Sequence, residues 1–169
     1  MNPAPASHVD LMRFRQQREV MEAESLSAMC RLAATEGFAQ GDIEVEARYY
    51  RAHFGSTVKR PQDLDSVVAR LRSHFTPHDI LKARAIEQRL YDQTWCKPEY
   101  NVLDRVVRCP SRTLVIRGDY DFIPQDCAMS IVDAIPGAQL ALLENCGHFA
   151  YLERTEDVMN IINRFCSQC

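Results

Sequence analysis

From Thr113 to Glu153 the chain reads TLVIRGDYDFIPQDCAMSIVDAIPGAQLALLENCGHFAYLE, and this stretch restricts the fold more than any other. The run Thr113-Leu114-Val115-Ile116 is short, apolar and partly β-branched, the pattern of a strand buried on both faces. It breaks at Gly118, and Asp119 and Asp121 follow. Pro124 then opens a helical pattern through Ala128, Ile131 and Val132, which the turn dipeptide Pro136-Gly137 ends. A second apolar run, Gln139 to Leu143, gives way to the polar loop Glu144-Asn145-Cys146-Gly147-His148. Strand, acid, helix, strand, histidine describes one right-handed parallel crossover. In open parallel sheets the chemistry sits beyond the carboxyl ends of the strands, where Asp121 and His148 both fall.

The phrases GDYDFIP and NCGHFAYLE resemble the C-terminal part of an α/β-hydrolase, and are most similar to its proline iminopeptidase-like branch. There the acid stands three residues after the strand-ending glycine, which is Asp121 here, and the histidine closes a Gly-His pair, here Gly147-His148. Their separation, 148 minus 121 or 27 residues, accommodates one helix and one strand. The resemblance covers Pro110 to Phe165 well and the remainder loosely. It implies an α/β chain with an incomplete α/β-hydrolase fold: a proline-rich lead-in and helical cap over residues 1–108, then the last two parallel strands and helices of the sheet over 109–169. It also implies that Met1 to Ser7 follow a sixth strand not encoded here, that Asp121 and His148 are catalytic, and that neither a cofactor nor a metal is needed. The complete family member acts on a small-molecule ester or peptide-like substrate.

The family's nucleophile elbow, G-x-S-x-G, belongs upstream of the acid and histidine. The glycines are Gly37, Gly41, Gly55, Gly118, Gly137 and Gly147, and no pair of them flanks a serine at that spacing. Acid and histidine act on a nucleophile as a unit. The expectation is a serine-hydrolase fragment, inactive alone, with two rivals: a non-catalytic interaction module, or one half of a split hydrolase complemented by another chain. Two parallel strands do not make a stable sheet, since about three with a covered face are needed. Self-association through the open edge, capture of a complementing N-terminal half, or a partly molten state is expected.

Composition removes several classes. A net charge of −3 gives no reason to expect a nucleic acid or an anionic membrane as partner. No apolar run approaches the ~20 residues of a membrane span. The opening MNPAPASHVD has neither the basic region nor the apolar core of a signal peptide. Seven cysteines without a framework of spacings, and no export signal, read as reduced thiols in the cytoplasm.

From Asp10 to about residue 108 the chain reads as helical. Asp10 to Gly37 is rich in helix formers, with Ser25 as a cap for a second helix and Gly37 as its stop. Asp42 caps a helix carrying Ile43, Ala47, Tyr50 and Phe54, which Gly55 ends. From Asp63 the positions Leu64, Val67, Val68, Leu71 and Phe75 form an apolar stripe. Thr76-Pro77-His78-Asp79 is a helix start with cap, proline and first-turn carboxylate, followed by the apolar side Ile80, Ala83, Ile86 and Leu90. Lys97-Pro98 interrupts, Val102 to Val107 is a short apolar piece, and Cys109-Pro110 leads into the first strand. Thr155 caps a last helix with Val158, Ile161, Ile162 and Phe165 on one face.

Other residues compete for chemical roles. Asp119 reads as a turn residue bonding backbone amides, and Glu144 and Glu153 read as surface charge. Cys127 lies in a first helical turn, where the dipole lowers a thiol pKa, and Cys146 is two residues from His148; packing is the commoner use of both. Cys166-Ser167-Gln168-Cys169 trails a helix C-terminus and reads as a frayed tail. Trp95, Tyr49, Tyr50 and Tyr91 are candidate pocket walls, and Glu44 and Glu46 are candidate carboxylates for a substrate amine.

Overall fold

The computed structural model describes residues 4–108 and 110–167. The expectation for Met1, the Cys109 part of the lead-in and the Cys169 half of the C-x-x-C lie outside the described residues.

Six helices come first: α1 (His8–Met21), α2 (Ala23–Ala33), α3 (Glu36–Ala39), α4 (Ile43–Phe54), α5 (Pro61–His74) and α6 (Pro77–Leu90). A π-helical turn, Tyr91–Trp95, continues α6, and the short α7 (Leu103–Val106) follows. The remainder alternates: β1 (Leu114–Gly118), α8 (Gln125–Ala134), β2 (Gln139–Leu143), α9 (Ala150–Glu153) and α10 (Thr155–Ser167).

Side-chain caps set many of the helix starts. Ser7, Thr35, Asp42 and Thr76 each accept the amide that opens α1, α3, α4 and α6, and Thr76 with Asp79 completes a reciprocal capping box. Three local expectations change. Ser25 lies inside α2, whose N-cap position is Glu22, three residues earlier, without a side-chain cap. Gly37 does not stop that helix but sits within α3, where a Cβ would come 2.8 Å from Val45 Cγ2; the glycine allows close packing. The helix expected from Asp63 begins at Pro61, because Arg60 is extended and Pro61 takes the first helical position.

α4 is central to the helical block, touching α2, α3, α5 and α6. Its core is Ala47, Val58, Leu64, Val68 and Leu71, joined by Phe149 from the far end of the chain. A second core, Ile116, Leu143, Cys146, Ala150 and Val158, lies under β1 and β2. Neighbouring residues Phe149 and Ala150 therefore belong to different cores. The lead-in also closes on the block: Ser7 bridges Asn101 antiparallel, with His8 N–H donating to Tyr100 O at 2.7 Å.

β1 and β2 pair in parallel, Leu114 opposite Gln139 through Gly118 opposite Leu143, and no third strand joins them among the described residues. Val115 to Gly118 are buried. β2 departs from the expectation of burial on both faces: of its residues only Leu143 is buried, and Leu142 is 46% exposed. Both strands are edges of the two-stranded sheet, and α8 and α9 pack against β1 while α8 packs against β2. No helix among the described residues is long and apolar enough to cross a membrane.

Candidate active site

The two strands end together, and their loops are stitched by backbone. Asp119 N–H donates to Leu143 O and Tyr120 N–H to Cys146 O, each at 2.9 Å. A Cβ on Gly118 would collide with the Cys146 and Gly147 carbonyls, so the histidine loop crosses against bare backbone. Asp119 holds the crossing from the other side: its carboxylate accepts the Asn145 and Cys146 amides at 3.0 Å each. The Cys146 amide bond is the main reason its pKa lies below the usual value. Asn145 takes the positive φ this turn requires.

Against that frame Asp121 and His148 meet. Asp121 Oδ1 lies 2.9 Å from His148 Nδ1 and also accepts the Ile123 amide at 3.1 Å. The Asp121 side chain is almost wholly buried at 1% exposure, while His148 keeps 21%. Asp121 Oδ2 is buried without a hydrogen-bond partner. With a carboxylate as acceptor, Nδ1 carries the ring proton and a neutral imidazole presents Nε2 as the basic nitrogen. The imidazole lies parallel to Phe54 at 5.7 Å and meets Phe122 and Phe149 edge-on at 4.7 and 5.2 Å. The acid loop has an anchor that sequence reasoning missed. Arg117, buried on β1, donates to Ile123 O at 3.0 Å and Gln125 Oε1 at 3.3 Å.

His148 lines a cavity of about 320 Å³ between the helical block and the strand ends. Phe14, Phe54, Tyr91, Trp95 and Phe122 make its wall aromatic, and Arg18 and Glu87 bring opposite charges. Trp95 meets Tyr91 edge-on at 5.0 Å. Of the expected wall residues, Tyr91 and Trp95 are here, whereas Tyr49 and Tyr50 line a smaller space of about 190 Å³. His53 and Phe54 border both spaces. His53 was not singled out from sequence, where it is one more polar residue on α4. Its Nδ1 is buried without a hydrogen-bond partner, and its pKa is pushed down to about 3, first by burial and then by the charges of Arg18 and His148.

The expected cap carboxylates go elsewhere. Glu44 is exposed and paired with Arg72, whose hydrogen bond lowers its pKa. Glu46 is buried against the Arg84 guanidinium and borders the smaller space only. The carboxylate that reaches the cavity beside His148 is Glu87.

The cysteine readings are settled by burial. Cys127 and Cys146 are both 0% exposed, and burial pushes each thiol up to about 12. Cys127 is in the first turn of α8 as expected, yet desolvation and the nearby Asp10 carboxylate outweigh the helix dipole. Neither thiol forms a thiolate near neutral pH. Glu153 is the largest correction: it is no surface charge but 7% exposed, and it accepts the Lys59, Gly147 and Phe149 amides. Its closeness to His148 in sequence was the available signal. Glu144 is exposed as expected.

No family model matches the chain. It is similar to the proline iminopeptidase of Lactobacillus crispatus (strain ST1), 21% identical over 141 residues, which cover 75% of this chain and 48% of the relative. Among solved structures, the proline iminopeptidase of Mycobacterium smegmatis superposes with a TM-score of 0.56 at 21% identity, over 99% of this chain and 55% of that one. MenH from S. aureus gives 0.60 at 20% identity, over 87% and 54%. The chain thus spans about half the length of the proteins it matches. The chain has an incomplete α/β-hydrolase fold, a helical block followed by two parallel strands and their helices, and is similar in sequence to proline iminopeptidases.

Proposed function

We propose that Asp121 and His148 are the acid and histidine of a serine hydrolase acting on an ester or amide bond, with the nucleophile on a segment outside these 169 residues. The observation that carries this reading is the 2.9 Å bond between a buried carboxylate and a mostly buried imidazole that keeps a fifth of its surface open, at the wall of an aromatic cavity. His148 Nε2 takes the hydroxyl proton of the serine as it attacks the carbonyl, then returns a proton to the leaving group. Asp121 holds the ring in the required tautomer and stabilises the imidazolium that forms. The aromatic wall suits a small ester or peptide-like substrate with a flat or apolar acyl group.

The chain alone should not hydrolyse p-nitrophenyl esters or proline arylamides above the buffer rate. Supplied with a segment carrying G-x-S-x-G and the preceding strands, it should turn over, and Asp121→Asn or His148→Ala should abolish that turnover. Turnover by the chain alone that both substitutions abolish would place a nucleophile within the 169 residues.

A second reading, an interaction module without catalysis, draws support from the open edge of β1, where no third strand pairs among the described residues. That edge is a template for strand addition, by a complementing half or a second copy of the chain. A sharp monomer in size-exclusion chromatography with light scattering, cooperative unfolding and no binding of a hydrophobic dye would refute the association.

A further inference from the structure

His148 is held by more than Asp121. The backbone on both sides of it, Gly147 N–H and Phe149 N–H, donates to the Glu153 carboxylate, to Oε2 at 2.9 Å and Oε1 at 3.1 Å. His148's own N–H donates to Thr57 O at 2.7 Å. Three consecutive amides of the histidine loop are thereby pinned by groups from outside the loop. Glu153 also reaches the cap, because Oε2 accepts the Lys59 amide at 3.0 Å, while the Arg60 guanidinium donates to its backbone carbonyl at 3.4 Å. Thr57 to Arg60 lie in the connection 55–60 between α4 and α5. A Cβ at Gly147 would strike the Thr57 carbonyl and come 2.8 Å from Glu153 Oε1, so glycine lets the two loops close on each other.

One carboxylate therefore takes donors from the cap connection and from both flanks of the histidine. A buried ionised carboxylate satisfied by three amides is strongly directional, and removing its charge leaves donors facing no acceptor. Phe149 packs into the core of the helical block, and Phe54 on α4 lies parallel to the imidazole, so that block also touches the ring.

We propose that Glu153 is a positioning residue, which sets the His148 imidazole against Asp121 and couples it to the cap loop 57–60; the proposal rests on the reading of His148 as the catalytic base.

The test uses the full chain labelled for NMR. In the unsubstituted protein, the Lys59, Gly147 and Phe149 amides should exchange with solvent through one shared opening, with equal protection. In Glu153→Gln, which keeps the volume and turns a donor toward at least one of the three N–H groups, the three should exchange at least tenfold faster. The His148 Nδ1 proton resonance, marking the bond to Asp121, should broaden or shift, while the amides of Val68 and Val158 keep their protection. Glu144→Gln should change none of these. Three unrelated opening rates in the unsubstituted chain, or an unmoved His148 resonance in Glu153→Gln, overturns the proposal; should that variant not fold, the exchange pattern of the unsubstituted chain decides alone. In the complemented assembly, Glu153→Gln should lower kcat at least tenfold and leave KM within about twofold. Full activity in His148→Ala with the clamp intact would instead refute the catalytic reading.

Discussion

Helix α6 and strand β1 are near opposites. α6 carries a complete local program, with cap, capping box and proline at the first position, yet it buries a single side chain, Ile80, and leaves Leu81, Ile86 and Leu90 more than a third exposed. β1 has no cap or capping box, only the apolar run Leu114-Val115-Ile116, and buries four of its five residues. The joint at its end depends on carbonyls from residues 28 and 29 positions later, Cys146 and Gly147 against Gly118. Legible local structure and energetic weight are thus carried by different regions. α6 forms because its own residues favour it; β1 forms because distant residues enclose it.

The sharpest way to break that contrast is at the joint. Gly118→Ala should cost about 3 kcal/mol or more, since the added methyl meets backbone carbonyls rather than a movable side chain. Denaturant unfolding followed by circular dichroism measures it, and a loss under about 0.5 kcal/mol would remove the joint from the comparison. Next comes pH. Folded His53 stays neutral down to about 3, against an ordinary value of 6.5. Between those values the unfolded chain binds a proton that the folded chain refuses. This contribution is therefore complete above about pH 6.5 and is lost as pH falls, by up to about 1.4 kcal/mol per pH unit. His53→Gln should flatten the slope relative to the unsubstituted chain; parallel slopes would mean that His53 protonates in place.

Val68 is 0% exposed in the core of the helical block, and Val68→Ala should cost about 2 kcal/mol by the same unfolding assay. A cost below about 0.5 kcal/mol would show the helical block to be loosely packed. The smallest effect belongs to the best local signal: Thr76→Ala should lose about 1 kcal/mol, read as a slightly lower midpoint. If that loss matched the one at Gly118, the contrast between local program and distant enclosure would fail.

Legibility from sequence followed the same division. The caps at Asp42 and Thr76 were readable because cap and amide are three residues apart. Asp121 and His148 were readable through a resemblance, as residues placed beyond the ends of two strand-like runs. Glu153 was not, because one of its partners is an amide 94 positions away and backbone donors leave no mark in composition. His53 and Arg117 were missed for a related reason: a polar residue on an element reads as solvated until the packing over it is known. Gly37 misled because a glycine that stops a helix and one that lets a valine approach look alike in sequence.

The position of Trp95 has an optical consequence. It is the chain's one tryptophan, and it stands in the cavity wall beside Tyr91. Indole emission therefore originates from a single point, within reach of whatever enters the space beside His148. Quenching or a spectral shift reports occupancy without any turnover, so ligands can be screened on the chain before a nucleophile is supplied. The same signal is blind to β2 and α10, which circular dichroism still registers. Divergence between the two melting curves would show directly whether the region around the indole comes apart before the strands do.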